Sequence, residues 1–241
     1  MIVIPMAGMS SRFFKAGYDK PKYMLRAHDK TLFEHSVNSF KNYYAKEEFL
    51  FIVRDIFETV EFVKERAKYL GIKKFRIAKL DLETKGQAET VYLGLKSVDY
   101  QGPITIFNID TFRPDFIYPN LNELDDGYLE VFKGTGENWS FVKSSNTEST
   151  QILETAEKRP ISDLCCTGLY YFSDVRDYMN AYKHYLTKPA TEWECGELYV
   201  APLYNYLIEN GKKIHYKLIK KNEVIFCGVP EEYLEFKNGG Y

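Results

Sequence analysis

The stretch that decides the fold is Ile2–Phe13, IVIPMAGMSSRF, near the start of this 241-residue chain. Three apolar residues, Ile2–Ile4, predict a short buried strand, and the small residues after them predict a turn. In an open α/β sheet, ligands bind beyond the carboxyl ends of the strands, where this turn lies. Gly8 allows backbone N–H groups to approach phosphate oxygens closely, and Arg12 adds a positive charge. The turn is therefore a candidate phosphate-binding loop.

Two familiar phosphate-binding motifs do not match this turn. The chain has neither the GxxxxGK[ST] sequence of a P-loop nor a GxGxxG motif here. A short Gly/Ser turn with a nearby Arg also fits an ordinary connection between a strand and a helix. The turn by itself does not define a function.

Strand-like and helix-like segments alternate through the first half of the chain. Such alternation is typical of parallel βαβ units and predicts an α/β fold with a doubly wound, mostly parallel sheet, Rossmann-like and of the GT-A type. The predicted strands are Phe49–Val53, Phe75–Ala78 and Ile104–Ile109, and the predicted helices begin at the Thr31–Glu34 capping box, at Asp55 and at Gln87.

The second half is less regular and predicts a mixed α+β region, which in an α/β enzyme commonly binds the acceptor. We expect one domain over residues 1–241, with a nucleotide-binding half at about 1–127 and an acceptor-binding half at about 128–241. The predicted strands are Tyr128–Phe132, Ser140–Lys143, Cys165–Phe172, Lys213–Ile219 and Val224–Phe226, and the predicted helices are Val175–Tyr185, Gly196–Glu209 and a short one opened by Pro230.

Charge and composition exclude several functional classes. The 32 basic and 34 acidic residues are well mixed and give a net charge of −2, unlike the basic face of a nucleic-acid binder. The longest apolar run, Phe49–Val53, is far too short for a membrane span, and Met1–Pro5 does not resemble a signal peptide. The four cysteines lack zinc-site spacing and are expected to be reduced thiols. We expect a cytoplasmic protein that binds neither nucleic acid nor membranes.

Three further segments carry candidate functional groups. Lys22 ends the run Asp19–Lys22, and it brings a second positive charge close to the turn in sequence. Asp110 ends a predicted buried strand, where a magnesium ion can bridge a carboxylate and phosphates. Gly86 and Gln87 open a predicted helix and can read a base edge by hydrogen bonds. Each segment also has a plain structural explanation, as a turn, a capping aspartate or a helix start.

Together these pieces resemble the sugar-phosphate nucleotidylyltransferase family. The resemblance runs in order along nearly the whole chain, although no single piece is specific. The matching segments are Met6–Arg12, Pro21–Lys22, Lys30–His35, Asn108–Asp110, Glu157–Lys158, Thr167–Tyr170 and Gly228–Leu234.

The chain departs from the family pattern at two positions. Ser10 replaces the second glycine of the first motif, as in several cytidylyl-transferring relatives. Phe226 stands where an aspartate, often a second metal ligand, precedes the closing motif. Asp110 is therefore the one metal ligand that the sequence predicts.

The resemblance implies direct transfer, in which an acceptor phosphate oxygen attacks the α-phosphorus of a nucleoside triphosphate and pyrophosphate leaves. The nucleophile is already anionic at neutral pH, so no general base is needed. The resemblance implies Mg²⁺ on Asp110 as cofactor and Arg12 and Lys22 as catalytic residues. The residues predicted to bind the nucleotide are Met6, Ala7, Gly8, Ser10, Ser11, Arg12, Lys22, Gly86, Gln87 and Asn108, and those predicted to bind the acceptor are Glu157, Lys158, Thr167, Gly168 and Glu197.

The nucleotide and the acceptor are less closely defined. Ser10–Ser11 and the short length favour CTP over UTP or dTTP. The run Met6–Phe13 with Asn108–Asp110 looks like enzymes of bacterial capsule and surface-polysaccharide pathways, which suggests L-glutamine phosphate as acceptor and CDP-L-glutamine as product. Sugar 1-phosphates and phosphocholine-type alcohols stay open as acceptors. The many Tyr and Phe residues leave room for an apolar interface between copies of the chain.

Two readings from other functional classes also remain. A nucleotide-sugar glycosyltransferase uses a similar sheet but usually needs an Asp-x-Asp metal motif, and the equivalent here is Asn108–Asp110. A non-catalytic nucleotide-binding module is disfavoured because Arg12, Lys22 and Asp110 are all present.

Overall fold

The computed structural model describes residues 1–145 and 149–240. Within them, no helix has the length and apolar character needed to cross a bilayer. The helices are α1 Ser11–Lys15, α2 Leu32–Asn38, α3 Thr59–Leu70, α4 Gln87–Lys96, α5 Val175–Leu186, α6 Leu203–Glu209 and α7 Pro230–Lys237. The strands are β1 Ile2–Pro5, β2 Arg26–Ala27, β3 Lys30–Thr31, β4 Glu48–Arg54, β5 Lys74–Leu80, β6 Ile104–Phe107, β7 Thr111–Phe112, β8 Gly127–Lys133, β9 Ser140–Ser144, β10 Ile152–Glu157, β11 Leu164–Phe172, β12 Ile214–Ile219 and β13 Ile225–Phe226.

These elements form two compact units, each built from separated stretches of chain. The first unit comprises Ile2–Glu83, Phe107–Ile117 and Asn222–Tyr241. The second unit comprises Met1, Thr84–Ile106 and Tyr118–Lys221. Their bounds differ from the contiguous halves 1–127 and 128–241 expected from the sequence. The assignment of the whole chain to one nucleotidyltransferase domain stays a prediction.

A parallel sheet lies at the centre of the first unit. β1 pairs with β4, with Ile2 opposite Phe49, and β4 pairs with β5, with Phe49 opposite Phe75. The run Phe49–Val53 is completely buried, as is typical of parallel strands covered on both faces. The predicted capping box at the start of α2 is confirmed, since Thr31 and Glu34 each accept the other's backbone N–H.

An apolar cluster fixes α1 against the last helix of the first unit. Phe13 of α1 packs in one buried cluster with Phe112, Tyr233 and Phe236. Tyr233 and Phe236 belong to α7, the helix that Pro230 opens as predicted. Full burial of an aromatic side chain contributes about 1.5–3 kcal/mol, so the cluster is a substantial anchor. The position of α1 therefore depends on α7.

The second unit has mostly antiparallel pairing. β11 pairs antiparallel with β8 and with β9, and β9 pairs antiparallel with β10, while β12 runs parallel to β8. All nine residues of β11 are buried. A bulge interrupts the β11–β8 register between Cys166 and Tyr170. The mixed α+β character predicted for this part of the chain is confirmed.

Tyrosines fill part of the core of the second unit, and two of their buried hydroxyl groups donate to backbone carbonyls. The Tyr178 hydroxyl donates to the carbonyl of Ala88 at 2.7 Å, and the Tyr204 hydroxyl donates to that of Tyr171 at 2.8 Å. A buried hydroxyl needs such a partner, because losing its water without one is costly. The high tyrosine content is thus partly core.

The sequence placed the start of α3 three residues too early. Asp55 was predicted to cap the helix, but the cap is Glu58 and the helix begins at Thr59. Phe57 and Glu58 have φ values of 57° and 55°, in the left-handed region that a right-handed helix excludes. Asp55 still accepts the backbone N–H of Val60 at 3.1 Å.

The predicted helix over Gly196–Glu209 is also wrong in its first half, because α6 begins only at Leu203. The backbone of Leu198 pairs with another segment: its N–H donates to Lys85 and its carbonyl accepts from Ala88. Pro202 directly precedes the helix, where proline is well tolerated. Glu197 is consequently not part of a helix. The sequence also missed β10 as a strand.

Candidate functional site

The turn after β1 begins with buried residues and becomes exposed at Gly8. Met6 and Ala7 are buried, Gly8 is exposed, and Ser10 is half-buried. A Cβ atom added at Gly8 would meet no atom within 4 Å, and the φ of Gly8 is not in the left-handed region. The described part of the chain therefore does not itself require glycine at this position. Open space beside a backbone turn is what the close approach of a phosphate would need.

Ser10 closes the turn in a strained conformation. Its φ of 53° and ψ of 30° lie in the left-handed region, which glycine adopts more easily. Its side-chain oxygen accepts the backbone N–H of Lys22 at 3.1 Å. The hydroxyl that replaces the family's second glycine thus ties the turn to the segment that carries Lys22.

Ser11 and Arg12 lie exposed in the first turn of α1. Phe13, the next residue, is buried in the apolar cluster and fixes this turn of helix. Among residues 1–145 and 149–240, the guanidinium of Arg12 has no hydrogen bond or ion pair. Arg12 is thus an uncommitted positive charge on the same short helix.

Lys22 and Asp110, 88 residues apart in the sequence, form an ion pair. Lys22 Nζ lies 2.5 Å from Asp110 Oδ2, and the two side chains are 20% and 23% exposed. Asp110 lies in the turn after β6, where the N–H of Thr111 donates to the carbonyl of Asn108. The half-buried Asn108 also accepts the Ser36 hydroxyl through that carbonyl. Two predicted site residues are therefore brought into direct contact.

The closing motif surrounds the backbone of Asp110. The N–H of Cys227 donates to the Asp110 carbonyl at 2.8 Å, and a Cβ atom at Gly228 would lie 3.3 Å from Asp110 Oδ2. The Glu232 carboxylate accepts the N–H groups of Gly228 and Val229. Gly228 therefore lets the chain pass close to Asp110, and Glu232 fixes that passage.

The groups beside Asp110 fit a magnesium ion only when phosphates share it. Among residues 1–145 and 149–240, no group of three or more His, Cys, Asp or Glu side chains is arranged to hold a metal. Phe226 is buried and pairs with Thr111 between β13 and β7, so its apolar side chain offers no ligand oxygen. Mg²⁺ commonly binds one or two carboxylates together with substrate phosphates, which a single Asp110 would allow.

Gly86 and Gln87, in the second unit, are tied to the segment that contains Glu197. A Cβ atom at Gly86 would lie 2.5 Å from the backbone oxygen of Leu198, and its φ of 144° also favours glycine. The backbone bonds of Leu198 to Lys85 and Ala88 hold this approach in place. Glycine at position 86 is thus explained by packing. Gln87 is half-buried at the first residue of α4.

Glu157 is a buried acid at the end of β10. Its side chain accepts the Ser140 hydroxyl, and its backbone N–H donates to the Glu194 carboxylate. Burial raises the pKa of Glu157 to about 7, although the Ser140 hydrogen bond opposes the shift. Glu194 and Glu197 add to the increase through their negative charge.

Lys158 is held by an aromatic hydroxyl. Its Nζ donates to Tyr199 Oη at 2.6 Å and lies 4.8 Å from the centre of the Tyr199 ring. The Lys158 backbone has a φ of 52°, and its N–H donates to the carbonyl of Trp139. Burial, the largest single influence, lowers the pKa of Lys158, but the hydrogen bond to Tyr199 and the electrostatic effects of Tyr199, Glu157 and Cys195 together raise it. Lys158 therefore remains a full positive charge.

The remaining predicted acceptor residues have different environments. Thr167 is buried and donates its hydroxyl to Glu130 at 3.1 Å, and Gly168 lies in the β11 bulge with a φ of 95°. Glu197 is exposed, and its charge acts on both Glu157 and Tyr199. Thr167 has a structural partner, whereas Glu197 is open to solvent.

Sequence reasoning missed four residues that build these surroundings: Ser140, Glu194, Tyr199 and Glu232. Glu232 carried a usable signal, since a glutamate two residues after Pro230 is typical of a helix start. The other three meet Glu157 or Lys158 from distant segments, and no local pattern indicates those contacts.

The fold is similar to that of several solved structures. The nucleoside-diphosphate-sugar pyrophosphorylase from Vibrio cholerae RC9 has 62% sequence identity and a TM-score of 0.96, over 99% of this chain and 100% of that one. A UDP-glucose pyrophosphorylase complexed with UDP-glucose has 18% identity and a TM-score of 0.77, over 100% and 97%. The inositol-1-phosphate CTP transferase from T. maritima has 16% identity and a TM-score of 0.71, over 98% and 94%. No protein-family model and no curated protein matches the chain.

These likenesses confirm the predicted fold class, a Rossmann-like nucleotidyltransferase fold with a mostly parallel sheet and flanking helices. The two structures below 20% identity show the fold alone. The 62% identity over the full length shows more: the chain belongs to the nucleoside-diphosphate-sugar pyrophosphorylase family of nucleotidyltransferases. The family expected from the sequence is thereby confirmed.

Proposed function

We propose that the protein transfers a nucleotidyl group from a nucleoside triphosphate to a small phosphorylated acceptor. An acceptor phosphate oxygen attacks the α-phosphorus, a new P–O bond forms, and the bond from the α-phosphorus to the bridging oxygen breaks to release pyrophosphate. Family membership supports this reaction class. The observation that carries it within the chain is the Lys22–Asp110 pair, because it joins a cation and a metal-type ligand from distant segments.

We assign the triphosphate to the first unit. Arg12 has no partner among the described residues, and Lys22 exchanges Asp110 for phosphate oxygens, so both stabilise the charge that develops on the leaving pyrophosphate. The open space at Gly8 admits the phosphates close to the backbone. Mg²⁺ on Asp110 supplies Lewis-acid charge stabilisation when bound with the phosphates. The contact of Gly86 and Gln87, which belong to the second unit, with the base stays a prediction from the sequence.

We assign the acceptor phosphate to the second unit. Lys158 carries the positive charge there, and the adjacent Glu157 and Glu197 provide hydrogen-bond acceptors for hydroxyl or amino groups of the acceptor. No residue has to remove a proton, since the attacking phosphate is already ionised. The chain contributes positioning and charge.

Sugar phosphates, L-glutamine phosphate and phosphocholine-type alcohols remain as acceptor classes in the proposal. The name of the Vibrio cholerae relative supports a sugar phosphate. The first motif with Ser10 supports CTP and an L-glutamine phosphate acceptor, giving CDP-L-glutamine in a capsule or surface-polysaccharide pathway. The cytoplasmic location and a homo-oligomeric state stay predictions from the sequence.

The test is an assay of pyrophosphate release with Mg²⁺, each nucleoside triphosphate in turn, and a panel of sugar 1-phosphates, phosphocholine and L-glutamine phosphate. Turnover with one pair defines both substrates. Release of a nucleoside diphosphate from an activated sugar would instead identify a glycosyltransferase. Absence of turnover with every pair, together with measurable nucleotide binding, would identify a binding module and contradict the proposal.

A further inference from the structure

The segment Glu197–Tyr199 is fixed by its own backbone although it has no regular structure. The N–H of Leu198 donates to the carbonyl of Lys85 at 2.9 Å, and the N–H of Ala88 donates to the carbonyl of Leu198 at 2.8 Å. The close approach at Gly86 adds a steric limit on the same residue. Tyr199 therefore follows a residue that cannot easily move.

Tyr199 makes two contacts with Lys158. Its hydroxyl oxygen accepts from Lys158 Nζ at 2.6 Å, and the ammonium lies 4.8 Å from the centre of its ring. Among residues 1–145 and 149–240, this oxygen is the only hydrogen-bond acceptor of Lys158 Nζ. A lysine ammonium has three N–H donors, so two of them remain available.

The hydrogen-bond partner of Lys158 is neutral, and this determines how strongly Lys158 can attract a phosphate. A carboxylate on Lys158 would cancel the positive charge that attracts a phosphate, whereas a phenol hydroxyl leaves it intact. A free lysine side chain would also have to be ordered when the phosphate binds. Tyr199 orders it beforehand, from a segment that is itself anchored.

We propose that Tyr199 is the positioning residue for Lys158: its hydroxyl and ring hold the ammonium so that two N–H donors face an acceptor phosphate. The inference rests on the proposed function in that Lys158 is taken as the phosphate contact. It adds a residue that neither the sequence motifs nor the resemblance indicated.

Steady-state kinetics of four proteins test the proposal: wild type, Tyr199→Phe, Lys158→Ala and the double variant. Tyr199→Phe keeps the ring and removes the hydroxyl. We expect its acceptor KM to rise about 10-fold, the factor typical of losing one hydrogen bond to a charged group, with kcat and the KM for the nucleotide little changed. In the Lys158→Ala background, Tyr199→Phe should have no further effect.

The matched control is Tyr206→Phe, a change at a half-buried tyrosine of the same unit that packs against His184. It should leave the acceptor KM unchanged. An unchanged KM in Tyr199→Phe, or equal effects of that change with and without Lys158, would overturn the proposal.

A second measurement needs no substrate. The Lys158 signal of ¹³C-labelled lysine, assigned with Lys158→Ala, is titrated in wild type and in Tyr199→Phe. The pKa of Lys158 should be lower in the variant, because the hydrogen bond that raises it is gone. If this shift occurs but wild type turns over no substrate pair, the proposed function fails and the Tyr199 contact stands. If wild type turns over and the pKa does not move, the positioning role fails.

Discussion

The lysines of the two units are held in opposite ways. Lys22 of the first unit contacts the carboxylate of Asp110 at 2.5 Å, and Lys158 of the second unit contacts the neutral hydroxyl of Tyr199 at 2.6 Å. An ion pair fixes a lysine and neutralises it, whereas a phenol fixes it and leaves its charge. In the proposed reaction, Lys22 would therefore change partners when phosphates bind, and Lys158 would not.

The glycines of the two units show the same contrast. Gly8 faces open space, and Gly86 faces the backbone of Leu198 at distances that no Cβ atom could occupy. In the first unit the candidate groups are open to exchange. In the second unit Gly86 and Lys158 are held by other parts of the chain, although Glu197 is exposed.

The largest expected effect is the loss of activity when the Lys22–Asp110 ion pair is broken. Lys22→Ala and Asp110→Asn should each lower kcat/KM by about 10²–10³-fold, the usual result of removing a group that stabilises transition-state charge. Both variants should keep the wild-type circular dichroism spectrum, since the pair is partly exposed. Pyrophosphate release provides the measurement.

The control for that prediction is another ion pair of the same unit. Lys41 and Asp115 are 2.7 Å apart with side chains 48% and 82% exposed, and Lys41→Ala should leave turnover unchanged. Wild-type activity in either Lys22→Ala or Asp110→Asn would show that the pair is structural.

Replacing Gly8 and Gly86 by alanine tests the contrast between these two glycines. Gly86→Ala should destabilise the protein by about 3–5 kcal/mol, because overpacking against Leu198 adds to an unfavourable φ. Gly8→Ala should leave the midpoint of urea unfolding unchanged while weakening nucleotide binding. Equal midpoints for the two variants would contradict the proposed difference between the units.

Tight packing of the second unit makes stability depend on pH at Glu157. Because burial raises the pKa of Glu157 to about 7, the folded state binds a proton more tightly than the unfolded state does. The free energy of unfolding should therefore fall as pH rises from about 4.5 to about 7 and then level off, by no more than about 3.5 kcal/mol.

Glu157→Gln isolates that contribution, since its amide oxygen can still accept from Ser140. The difference in unfolding free energy between the variant and wild type should move in favour of the variant as pH rises from 5 to 8. Urea unfolding at several pH values measures it. A difference that stays constant over this range would mean that Glu157 ionises normally.

The smallest expected effect is at Ser10. Ser10→Gly relieves a left-handed backbone conformation but removes the hydrogen bond to the Lys22 N–H, and each is worth about 1 kcal/mol. The free energy of unfolding, measured by thermal denaturation, should therefore change by less than about 1 kcal/mol. A loss of nucleotide affinity without a loss of stability would show that the hydroxyl serves to place Lys22.

Local sequence patterns predicted the elements of this fold well where the signal was itself local. The Thr31–Glu34 capping box and the helix Gln87–Lys96 lie where the pattern placed them. The start of α6 was wrong because Leu198 uses its backbone groups on a distant segment, which overrides helical spacing.

The candidate site was predictable as a set of residues but not as a set of contacts. The order of motifs indicated both Lys22 and Asp110, yet nothing between them shows that they touch across 88 positions. Tyr199 was missed for the same reason, since its importance comes only from reaching Lys158. Contacts between distant segments depend on the assembled fold, which the periodicity of apolar residues in the sequence does not predict.

The three-part first unit has a consequence for synthesis of the chain on the ribosome. Two supports of the first unit are translated after all of Tyr118–Lys221. They are Cys227, whose N–H donates to the Asp110 carbonyl, and α7, which anchors Phe13. At the usual rate of translation that interval lasts roughly 5–20 s. During this time the turn at Gly8 and the Asp110 segment lack their final supports. The nascent first unit therefore stays partly folded and accessible to chaperones while the second unit is synthesised.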